Sequence, residues 1–279
     1  MTATPTTIVM IHGLWMTPKS WELWADRYRT AGHQVLAPAW PGLDAEVEEL
    51  RRDPAPIAEL SIRPIVEHYD KLIRGLDQSP IIMGHSFGGA FTQVLIDRGL
   101  GRAGVAIDSA AVKGVLKLPF STLRTGWPIL RNPLNRHRAV PISLKQFHYR
   151  FTNHLSVEAS APLYERYYIP GTGRVLFEGA SANFNPHAPT RVNFRNDRRA
   201  PLLFIAGSID HVSPPSINRA NAKKHRKSKA ITDYKEFPGR SHFTLGQPGW
   251  EEVADYALEW AASHTSTTTT ATSAAQART

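Results

Sequence analysis

The chain has no cysteine among its 279 residues, which excludes disulfide bonds and a cysteine nucleophile. Long hydrophobic runs are missing too. The apolar stretches extend over about five or six residues, far fewer than the roughly 20 that a membrane-spanning helix needs. Residues 1–5 contain neither a basic stretch nor an apolar segment of signal-peptide length. We therefore expect a cytoplasmic protein without membrane insertion.

Acidic residues are fewer than basic ones, with 24 Asp and Glu against 33 Lys and Arg and a net charge of +9. This balance raises the possibility of nucleic acid or membrane binding. The densest basic runs, 195–199 and 223–229, are interpreted as solvated surface because no nucleic-acid-binding motif accompanies them. We expect neither nucleic acid nor membrane binding, and only a weak attraction to anionic surfaces or substrates that moderate salt screens.

Motifs for metal and cofactor binding are also absent. The sequence has no His-Glu-x-x-His helix, and its histidines and aspartates do not cluster at metal-ligand spacing. The glycine-rich turn at 84–89 lacks the Lys and the Ser or Thr that follow in a phosphate loop. We expect no metal and no cofactor.

The residues that are present indicate one large α/β domain. Hydrophobic residues make up 42% of the chain, enough for a sizeable core. Short apolar runs alternate with segments of helical periodicity, which predicts a mostly parallel sheet of about six strands flanked by helices. The predicted strands cover residues 7–11, 34–37, 80–83, 103–107, 201–206 and 231–237. The predicted helices cover residues 18–30, 61–76, 87–98 and 250–262.

The most informative motif is Gly84-His85-Ser86-Phe87-Gly88-Gly89, between an apolar strand and a helical pattern. It has the form of a nucleophile elbow, in which a serine on a sharp strand-to-helix turn exposes its hydroxyl above the sheet. Gly84 and Gly88 suit such a turn because strand and helix approach closely there. A Gly-x-Ser-x-Gly string also arises by chance in roughly one chain in ten of this length, so the surrounding sequence must decide. Ser86 is the predicted nucleophile.

An acid and a base follow in the chain order that this scaffold requires. Asp210 lies at the carboxyl end of the predicted strand 201–206, and His242 lies on the loop after the strand 231–237. We predict Asp210 as the acid and His242 as the general base. Asp108 also ends a predicted strand and remains an alternative acid.

A fourth element lies near the start of the chain. The predicted strand 7–11 is followed by His12-Gly13-Leu14-Trp15. Acyl transfer places negative charge on the substrate carbonyl oxygen, which two preorganised backbone N–H groups can stabilise. We assign these donors to Leu14 and Phe87, with Gly13 permitting the turn. His12 and His85, which flank these elements, are interpreted as structural.

These four elements in this order resemble the α/β-hydrolase superfamily, and the resemblance covers residues 6 to 262. It implies an α/β-hydrolase fold with Ser86 as nucleophile, His242 as base and Asp210 as the carboxylate that orients it. It implies Leu14 and Phe87 as oxyanion donors. A serine at the elbow argues against dehalogenases and epoxide hydrolases of the superfamily, since these need a carboxylate there.

The strand and helix alternation breaks down over residues 109–199. A structureless loop of this length is implausible in a compact domain, so we predict an inserted helical cap over the active site. The hydrolase core then comprises 6–108 and 200–262. Residues 263–279, rich in Thr, Ser and Ala, are predicted to form a disordered tail.

The cap is rich in aromatic residues, and some of them are expected to face a mainly apolar substrate pocket. The predicted lining residues are Trp15, Phe120, Trp127, Phe147 and Phe184.

The predicted activity is serine-dependent hydrolysis of carboxylic esters or lactones of a small to medium hydrophobic substrate, through an acyl-enzyme. The alternatives are a small-molecule receptor with an intact triad, a hydrolase of thioester, amide or carbon–carbon bonds, and a cofactor-free perhydrolase. The expected partner is a small-molecule ester, and the sequence does not indicate an oligomeric state.

Overall fold

A computed structural model describes residues 5–265. Within them, a six-stranded, wholly parallel sheet has the strand order β2-β1-β3-β4-β7-β8. Its strands are β1 (Thr7–Ile11), β2 (Gln34–Leu36), β3 (Ile81–His85), β4 (Ala103–Ile107), β7 (Leu202–Gly207) and β8 (Thr232–Phe237). Two short antiparallel strands, β5 (Ala139–Val140) and β6 (Gly171–Thr172), pair separately. The predicted fold class, a mostly parallel sheet of about six strands flanked by helices, is confirmed.

The α-helices of residues 5–265 alternate with the strands. Their bounds are α1 (Glu22–Thr30), α2 (Val47–Arg52), α3 (Ala55–Ala58), α4 (Ile62–Arg74), α5 (Phe87–Asp97), α6 (Phe120–Leu130), α7 (Leu144–Phe151), α8 (Val157–Tyr167), α9 (Gly173–Ala180), α10 (Pro215–His225) and α11 (Trp250–Thr265). Three-residue to five-residue 3₁₀ helices occupy Pro18–Trp21, Pro133–His137 and Ala182–Phe184. The predicted helix 18–30 is therefore a 3₁₀ turn followed by α1. None of the helices in the described part of the chain is long and apolar enough to cross a membrane.

The sheet is covered on both faces, because alternate residues of each strand point to opposite sides. In β1, Ile8 and Met10 pack into a cluster with α1 and α11, where Trp24 and Val253 are fully buried. Val9 and Ile11 of the same strand belong to the opposite cluster, with α4 and α5. Two buried faces explain why the strands read as continuous apolar runs.

The five turns that carry Gly13 and the predicted serine, acid and histidine residues lie at one edge of the sheet. Gly13 follows β1, Ser86 follows β3, Asp108 follows β4, Asp210 follows β7 and His242 follows β8. The carboxyl ends of parallel strands meet at the same edge of a sheet, which is where ligands bind in open α/β folds. The strand order therefore brings together residues that are far apart in sequence.

The segment 109–199 contains α6 to α9 and the pair β5-β6. Polar side chains begin several of these helices. Ser143 and Gln146 form a capping box at α7, with the Gln146 N–H 3.3 Å from Ser143 Oγ. Ser156 caps α8 through the Ala159 N–H at 3.1 Å. The predicted tail 263–279 begins inside α11, and its residues 266–279 lie outside the described part of the chain.

Candidate active site

Ser86 occupies a strained turn between β3 and α5. Its backbone has φ 58° and ψ −119°, a left-handed conformation that residues with a side chain rarely adopt. A Cβ at Gly84 would lie 2.1 Å from the Gly88 carbonyl oxygen, and one at Gly88 would lie 2.1 Å from the Ile11 carbonyl oxygen. The two glycines of the motif are therefore required by backbone contact, on either side of the serine.

The turn is held by backbone hydrogen bonds and by the neighbouring loop. The Ser86 N–H donates to the Ile107 carbonyl at 2.9 Å, and the Ser86 carbonyl accepts from the Ala110 N–H at 3.0 Å. Gly13, after β1, lies directly against the serine. A Cβ there would stand 2.7 Å from Ser86 Cβ and 3.3 Å from Ser86 Oγ. The absence of a side chain at Gly13 leaves room for the nucleophile hydroxyl.

His12 fixes the loop that carries Gly13 and Leu14. Its Nε2 accepts the Trp40 N–H at 3.2 Å, so its Nδ1 carries the proton and donates to the Gly13 carbonyl at 3.0 Å. Burial lowers the pKa of His12 to about 4, which keeps the ring neutral. This geometry supports the structural interpretation of His12.

The two candidate oxyanion donors lie on either side of the serine. Phe87 is the first residue of α5, and the first N–H groups of a helix have no partner inside it. The partial positive charge of the helix N-terminus adds to the attraction for an oxyanion there. Leu14 is buried at 3% exposure, and the next residue, Trp15, has a left-handed φ of 68°. The Trp15 carbonyl accepts the Ile169 N–H at 3.0 Å, which ties this turn to the segment 109–199.

His242 and Asp210 form a buried pair. His242 Nδ1 lies 2.7 Å from Asp210 Oδ2, and both side chains are fully buried. The second carboxylate oxygen, Oδ1, accepts the N–H groups of Val212 at 2.6 Å and Ser213 at 3.0 Å. Hydrogen bonds to both oxygens fix the carboxylate in plane, so it can accept the Nδ1 proton of His242.

The other ring nitrogen of His242, Nε2, is buried and has no hydrogen-bond partner among residues 5–265. The structure therefore brings Asp210 and His242 together but does not close a hydrogen bond between His242 and Ser86. Catalytic hydrogen bonds of this kind are often long in the absence of substrate.

Asp108, the alternative acid, also lies in this group but makes a different contact. Its Oδ1 accepts the Gly207 N–H at 2.7 Å, whereas its buried Oδ2 has no partner among the residues described. Burial, and then the charge of Asp210, raise the pKa of Asp108 well above its usual range. His242 Nδ1 contacts Asp210 and not Asp108, so the contacts favour Asp210 as the acid.

His85 completes the buried cluster. Its Nε2 donates to the His242 carbonyl at 2.8 Å, and the two ring centroids lie 4.6 Å apart. Burial, and then His242, lower the pKa of His85 well below its usual value. His85, Asp108 and His242 each offer one ligand atom within 4.8 Å of the others, a spacing that a metal site also needs. Metal ligation by His242 Nε2 would remove the nitrogen that a serine hydroxyl requires as its base.

Arg150 is a buried residue at this site that sequence reasoning missed. It is 2% exposed, its Nη2 donates to the Thr125 carbonyl at 2.5 Å, and its guanidinium carbon lies 5.5 Å from the Trp15 ring centroid. Burial lowers the pKa of Arg150 to about 10. Arg150 thus joins α6, α7 and the oxyanion turn. A single basic residue within a helical pattern gives no sequence signal of this role.

Helix α9 covers the other side of the nucleophile turn. A Cβ at Gly179 would lie 2.9 Å from Cε1 and Cζ of Phe87, so the helix rests on this ring. The next residue after Arg150, Phe151, packs on His242 with ring centroids 5.3 Å apart. Its carbonyl accepts the Phe243 N–H at 3.0 Å. Parts of the segment 109–199 therefore enclose the serine and the histidine.

A small cavity of about 10 Å³ borders the oxyanion turn. Its lining is mainly apolar and consists of Gly13, Leu14, Trp15, Met16, Trp40, Leu43, Ile57, Leu60, Ile169, Pro170 and Thr172. About 10 Å³ is near the minimum for one water molecule, so an ester fits only if lining residues move. Two larger surface clefts, of about 480 and 600 Å³, contain none of the predicted catalytic residues.

The predicted pocket residues are placed differently from one another. Trp15 lines the cavity. Phe147 is fully buried and stacks on Phe151 at 5.0 Å between ring centroids, inside the segment 109–199. Phe120, Trp127 and Phe184 are solvent-exposed and do not line the cavity. Aromatic content alone does not reveal which face of a helix points inward; in α6 the inward face carries smaller and aliphatic residues.

A sequence-family model described as the alpha/beta hydrolase family matches residues 8–256. No curated protein matches the chain. Among solved structures, a monoacylglycerol lipase from Paleococcus ferrophilus is 21% identical, covering 94% of this chain and 96% of its own, with a TM-score of 0.63.

Two further solved structures have the same fold. An extracellular alpha/beta-hydrolase from a Paenibacillus species is 18% identical, covering 91% of this chain and 98% of its own, with a TM-score of 0.64. A thermophilic esterase from Thermogutta terrifontis is 17% identical, covering 93% and 90%, with a TM-score of 0.62. With the family model matched over residues 8–256, this chain belongs to the alpha/beta hydrolase family.

Proposed function

We propose that this hydrolase cleaves carboxylic esters of small to medium hydrophobic substrates through Ser86, His242 and Asp210. The observation that carries the proposal is the buried pair of His242 Nδ1 and Asp210 Oδ2 at 2.7 Å, together with a buried Nε2 that has no hydrogen-bond partner among residues 5–265. In a neutral ring whose Nδ1 donates to the carboxylate, Nε2 is the acceptor. A buried basic nitrogen beside a strained serine turn is the arrangement that activates a hydroxyl nucleophile.

The first half of the reaction forms an acyl-enzyme. His242 Nε2 takes the hydroxyl proton as Ser86 Oγ attacks the ester carbonyl carbon, and the carbonyl oxygen becomes an oxyanion held by the N–H groups of Leu14 and Phe87. Collapse of this intermediate breaks the bond to the alcohol, which leaves with the proton from Nε2.

The second half releases the acid. Water gives a proton to His242 Nε2 and attacks the acyl carbon, and Ser86 leaves with that proton. Asp210 accepts the Nδ1 hydrogen bond throughout and stabilises the imidazolium formed in both halves. Losing one oxyanion donor typically costs about 10² to 10³ in kcat.

The apolar cavity beside the oxyanion turn supports a hydrophobic ester as substrate. Its lining includes Leu43, Ile57 and Leu60 together with Trp15 and Trp40. Apolar walls with few polar groups select hydrophobic ligands. The helices of the segment 109–199 over Phe87 and Trp15 act as a cap in this proposal, and admitting substrate requires their side chains to move.

The first test is kcat/KM on p-nitrophenyl esters of increasing acyl length, with wild type, Ser86→Ala and the control Ser216→Ala. We expect turnover on the order of 1 s⁻¹ or more that falls at least about 10³-fold in Ser86→Ala and is unchanged in Ser216→Ala. A fluorophosphonate probe should add its mass once, at Ser86. If Ser86→Ala retains wild-type rates, Ser86 is not the nucleophile. If the wild-type enzyme turns the esters over slowly but still reacts with the probe, a receptor role or hydrolysis of another bond type is favoured.

A further inference from the structure

Exposed large apolar side chains are concentrated on one segment of this protein. Within residues 5–265, seven of the eight such side chains belong to the segment 109–199, and the eighth is Ile231. The seven are Leu116, Leu118, Phe120, Leu123, Trp127, Leu134 and Phe184. Single exposed apolar residues are ordinary on a protein surface, but such a concentration marks an interaction site.

Three of these residues lie on one side of α6, and the others lie on segments next to it in the chain or in contact with the segment that precedes it. On α6, Phe120, Leu123 and Trp127 follow spacings of three and four, which put them on one side of the helix, whereas Thr125 and Ile129 are buried on the other. The 3₁₀ turn that carries Leu134 follows α6 directly.

Phe184 is held next to the chain segment that precedes α6 by hydrogen bonds of its neighbours. The neighbouring Asn183 accepts the Gly114 N–H at 2.7 Å and donates to the Val115 carbonyl at 3.0 Å. Lys113 Nζ also donates to the Asn185 carbonyl at 2.6 Å. These bonds hold Phe184 beside the chain segment that leads into Leu116.

Basic residues are interleaved with these apolar ones. Lys117, Arg124, Arg131, Arg136 and Arg138 are exposed, and none of them forms an ion pair with a carboxylate of residues 5–265. Arg124 also stacks on Tyr149, with its guanidinium carbon 4.2 Å from the ring centroid. The sequence contains no Asp or Glu from residue 109 to residue 157. We call the seven apolar and five basic residues the apolar–basic face.

We propose that the apolar–basic face docks the protein on an anionic phospholipid membrane surface. The unpaired cations complement lipid phosphates and acidic headgroups, and Trp, Phe and Leu beside Lys and Arg are the composition of interfacial, non-spanning segments. Phe184 is 90% exposed and Phe120 is 79% exposed, so these rings protrude and can enter a fluid interface. A folded partner would need a separate pocket for each ring.

A second copy of this chain fits the face less well. Two apolar–basic faces brought together would oppose five unpaired cations with five more, without a carboxylate of residues 109–157 to offset them. Charge complementarity therefore favours a lipid surface over self-association.

Docking on the apolar–basic face would orient α6 toward the membrane. The inward side of α6 reaches the oxyanion turn through Thr125, Arg150 and Trp15. Thr122 on α6 also donates to the Val212 carbonyl, at 2.9 Å, beside the Asp210 loop. The proposal goes beyond the hydrolytic function and does not depend on it, since the apolar–basic face contains none of the proposed catalytic residues.

The test is sedimentation of the full-length protein with vesicles of phosphatidylcholine alone and of phosphatidylcholine with about 30% phosphatidylglycerol, at low and physiological salt. Each basic residue near an anionic surface strengthens binding by about fivefold. We expect at least about tenfold tighter binding to the anionic vesicles, weakened by salt. Ser86→Ala should bind as wild type does, which separates this result from the fate of the hydrolytic mechanism.

Matched variants locate the contact. Lys117→Glu with Arg131→Glu, and separately Phe120→Ser with Trp127→Ser, should each weaken binding at least about tenfold. The controls Lys223→Glu with Lys227→Glu, and Ile231→Ser, make the same chemical changes at exposed positions elsewhere. They should retain most of the binding.

Tryptophan fluorescence gives a second readout. Trp127 is 58% exposed, Trp250 is half-buried, and Trp15, Trp21, Trp24, Trp40 and Trp260 are buried. Anionic vesicles should shift the emission to shorter wavelength, and Trp127→Phe should abolish the shift.

Several results would overturn the proposal. The first is the absence of binding to anionic vesicles at low salt. The second is an equal loss of vesicle binding in the control variants. The third is a dimer in solution that Phe120→Ser with Trp127→Ser dissociates and the control variants do not. Binding of an acidic protein at the apolar–basic face, without binding to vesicles, would also overturn the proposal.

Discussion

His242 and Asp210 meet as a buried pair, with Nδ1 of the imidazole 2.7 Å from Oδ2 of the carboxylate. The contact fixes which ring nitrogen carries the proton, because an ionised carboxylate only accepts hydrogen bonds. It also fixes the ring orientation, since Oδ1 of Asp210 is held by the Val212 and Ser213 N–H groups. A second carboxyl, Asp108, lies nearby but accepts the Gly207 N–H instead.

This difference predicts unequal effects of two conservative substitutions. Asp210→Asn places an amide N–H₂ or carbonyl against Nδ1, so the tautomer is no longer enforced, and kcat/KM should fall at least about 10²-fold. Asp108→Asn should change kcat/KM by less than about fivefold. Steady-state kinetics on the best p-nitrophenyl ester measures both. The reverse ranking would assign the acid to Asp108.

Much of the core could be predicted from local patterns. The strand β4 was predicted at its observed bounds, 103–107, because parallel strands buried on both faces read as uninterrupted apolar runs. The turn at Ser86 was predicted because the Gly-x-Ser-x-Gly spacing reflects a backbone contact between adjacent elements.

Other features could not be predicted because long-range packing decides them. Arg150 is buried under α6 only because Thr125 and Gln146 offer carbonyls to its guanidinium. The spacing of Phe120 and Trp127 defines one face of α6, but the rest of the fold decides that this face points outward.

Gly13 should be intolerant of even one added carbon. A Cβ there would meet Ser86 Cβ at 2.7 Å and the His85 carbonyl oxygen at 3.0 Å, so Gly13→Ala must displace the nucleophile or the oxyanion turn. We expect kcat/KM to fall by about 10² or more, since misplacement of about 1 Å can cost this much. Gly75→Ala is the control, because the nearest atom to its added Cβ lies at 3.4 Å. Equal activity in the two variants would contradict the close approach of Gly13 to Ser86.

Stability should fall steeply in mild acid. Burial lowers the pKa of His12 to about 4 and of His225 to about 3, and it lowers that of His85 well below normal. These rings stay neutral when folded but bind protons on unfolding below pH 6.5, so their stabilisation is complete above pH 6.5 and is lost as the pH falls toward 4.

Burial also lowers the pKa of His33 and His154, so these histidines too take up protons on unfolding near pH 5, while Asp108 releases one. More groups take up protons than release them, so the unfolding free energy should decrease as the pH falls from 7 to 4.5. Urea unfolding between pH 4.5 and pH 7 measures this decrease. A flat profile over this range would contradict the neutral buried state of the histidines.

Above the unfolded-state pKa of Asp108, this group should lower the stability as the pH rises, opposite to the buried histidines. Its folded pKa is raised, so the folded state holds a proton that the unfolded state loses, and the contribution of this group to stability declines as the pH rises from about 4. Asp108→Asn keeps the shape and the acceptor for Gly207 without a titrating group. The melting temperature of this variant should exceed that of wild type near pH 8, and the difference should shrink toward pH 4. An unchanged difference across this range would mean that Asp108 is not buried as a neutral acid.

The small apolar cavity predicts how acyl preference can be changed. Leu60 lines it and is 6% exposed, so Leu60→Ala removes wall atoms next to the oxyanion turn. The ratio of kcat/KM for a longer ester to that for the acetate should rise by about tenfold, as one or two methylenes in an apolar pocket are worth about 1–3 kcal/mol. The variant should lose about 2–5 kcal/mol of stability, as buried Leu→Ala changes do. Leu100→Ala, at a position that is 7% exposed and outside the cavity, should show a similar loss of stability with no change in acyl preference. If both variants change the acyl preference, the change comes from general destabilisation of the fold. If neither changes it, the acyl group binds outside this cavity.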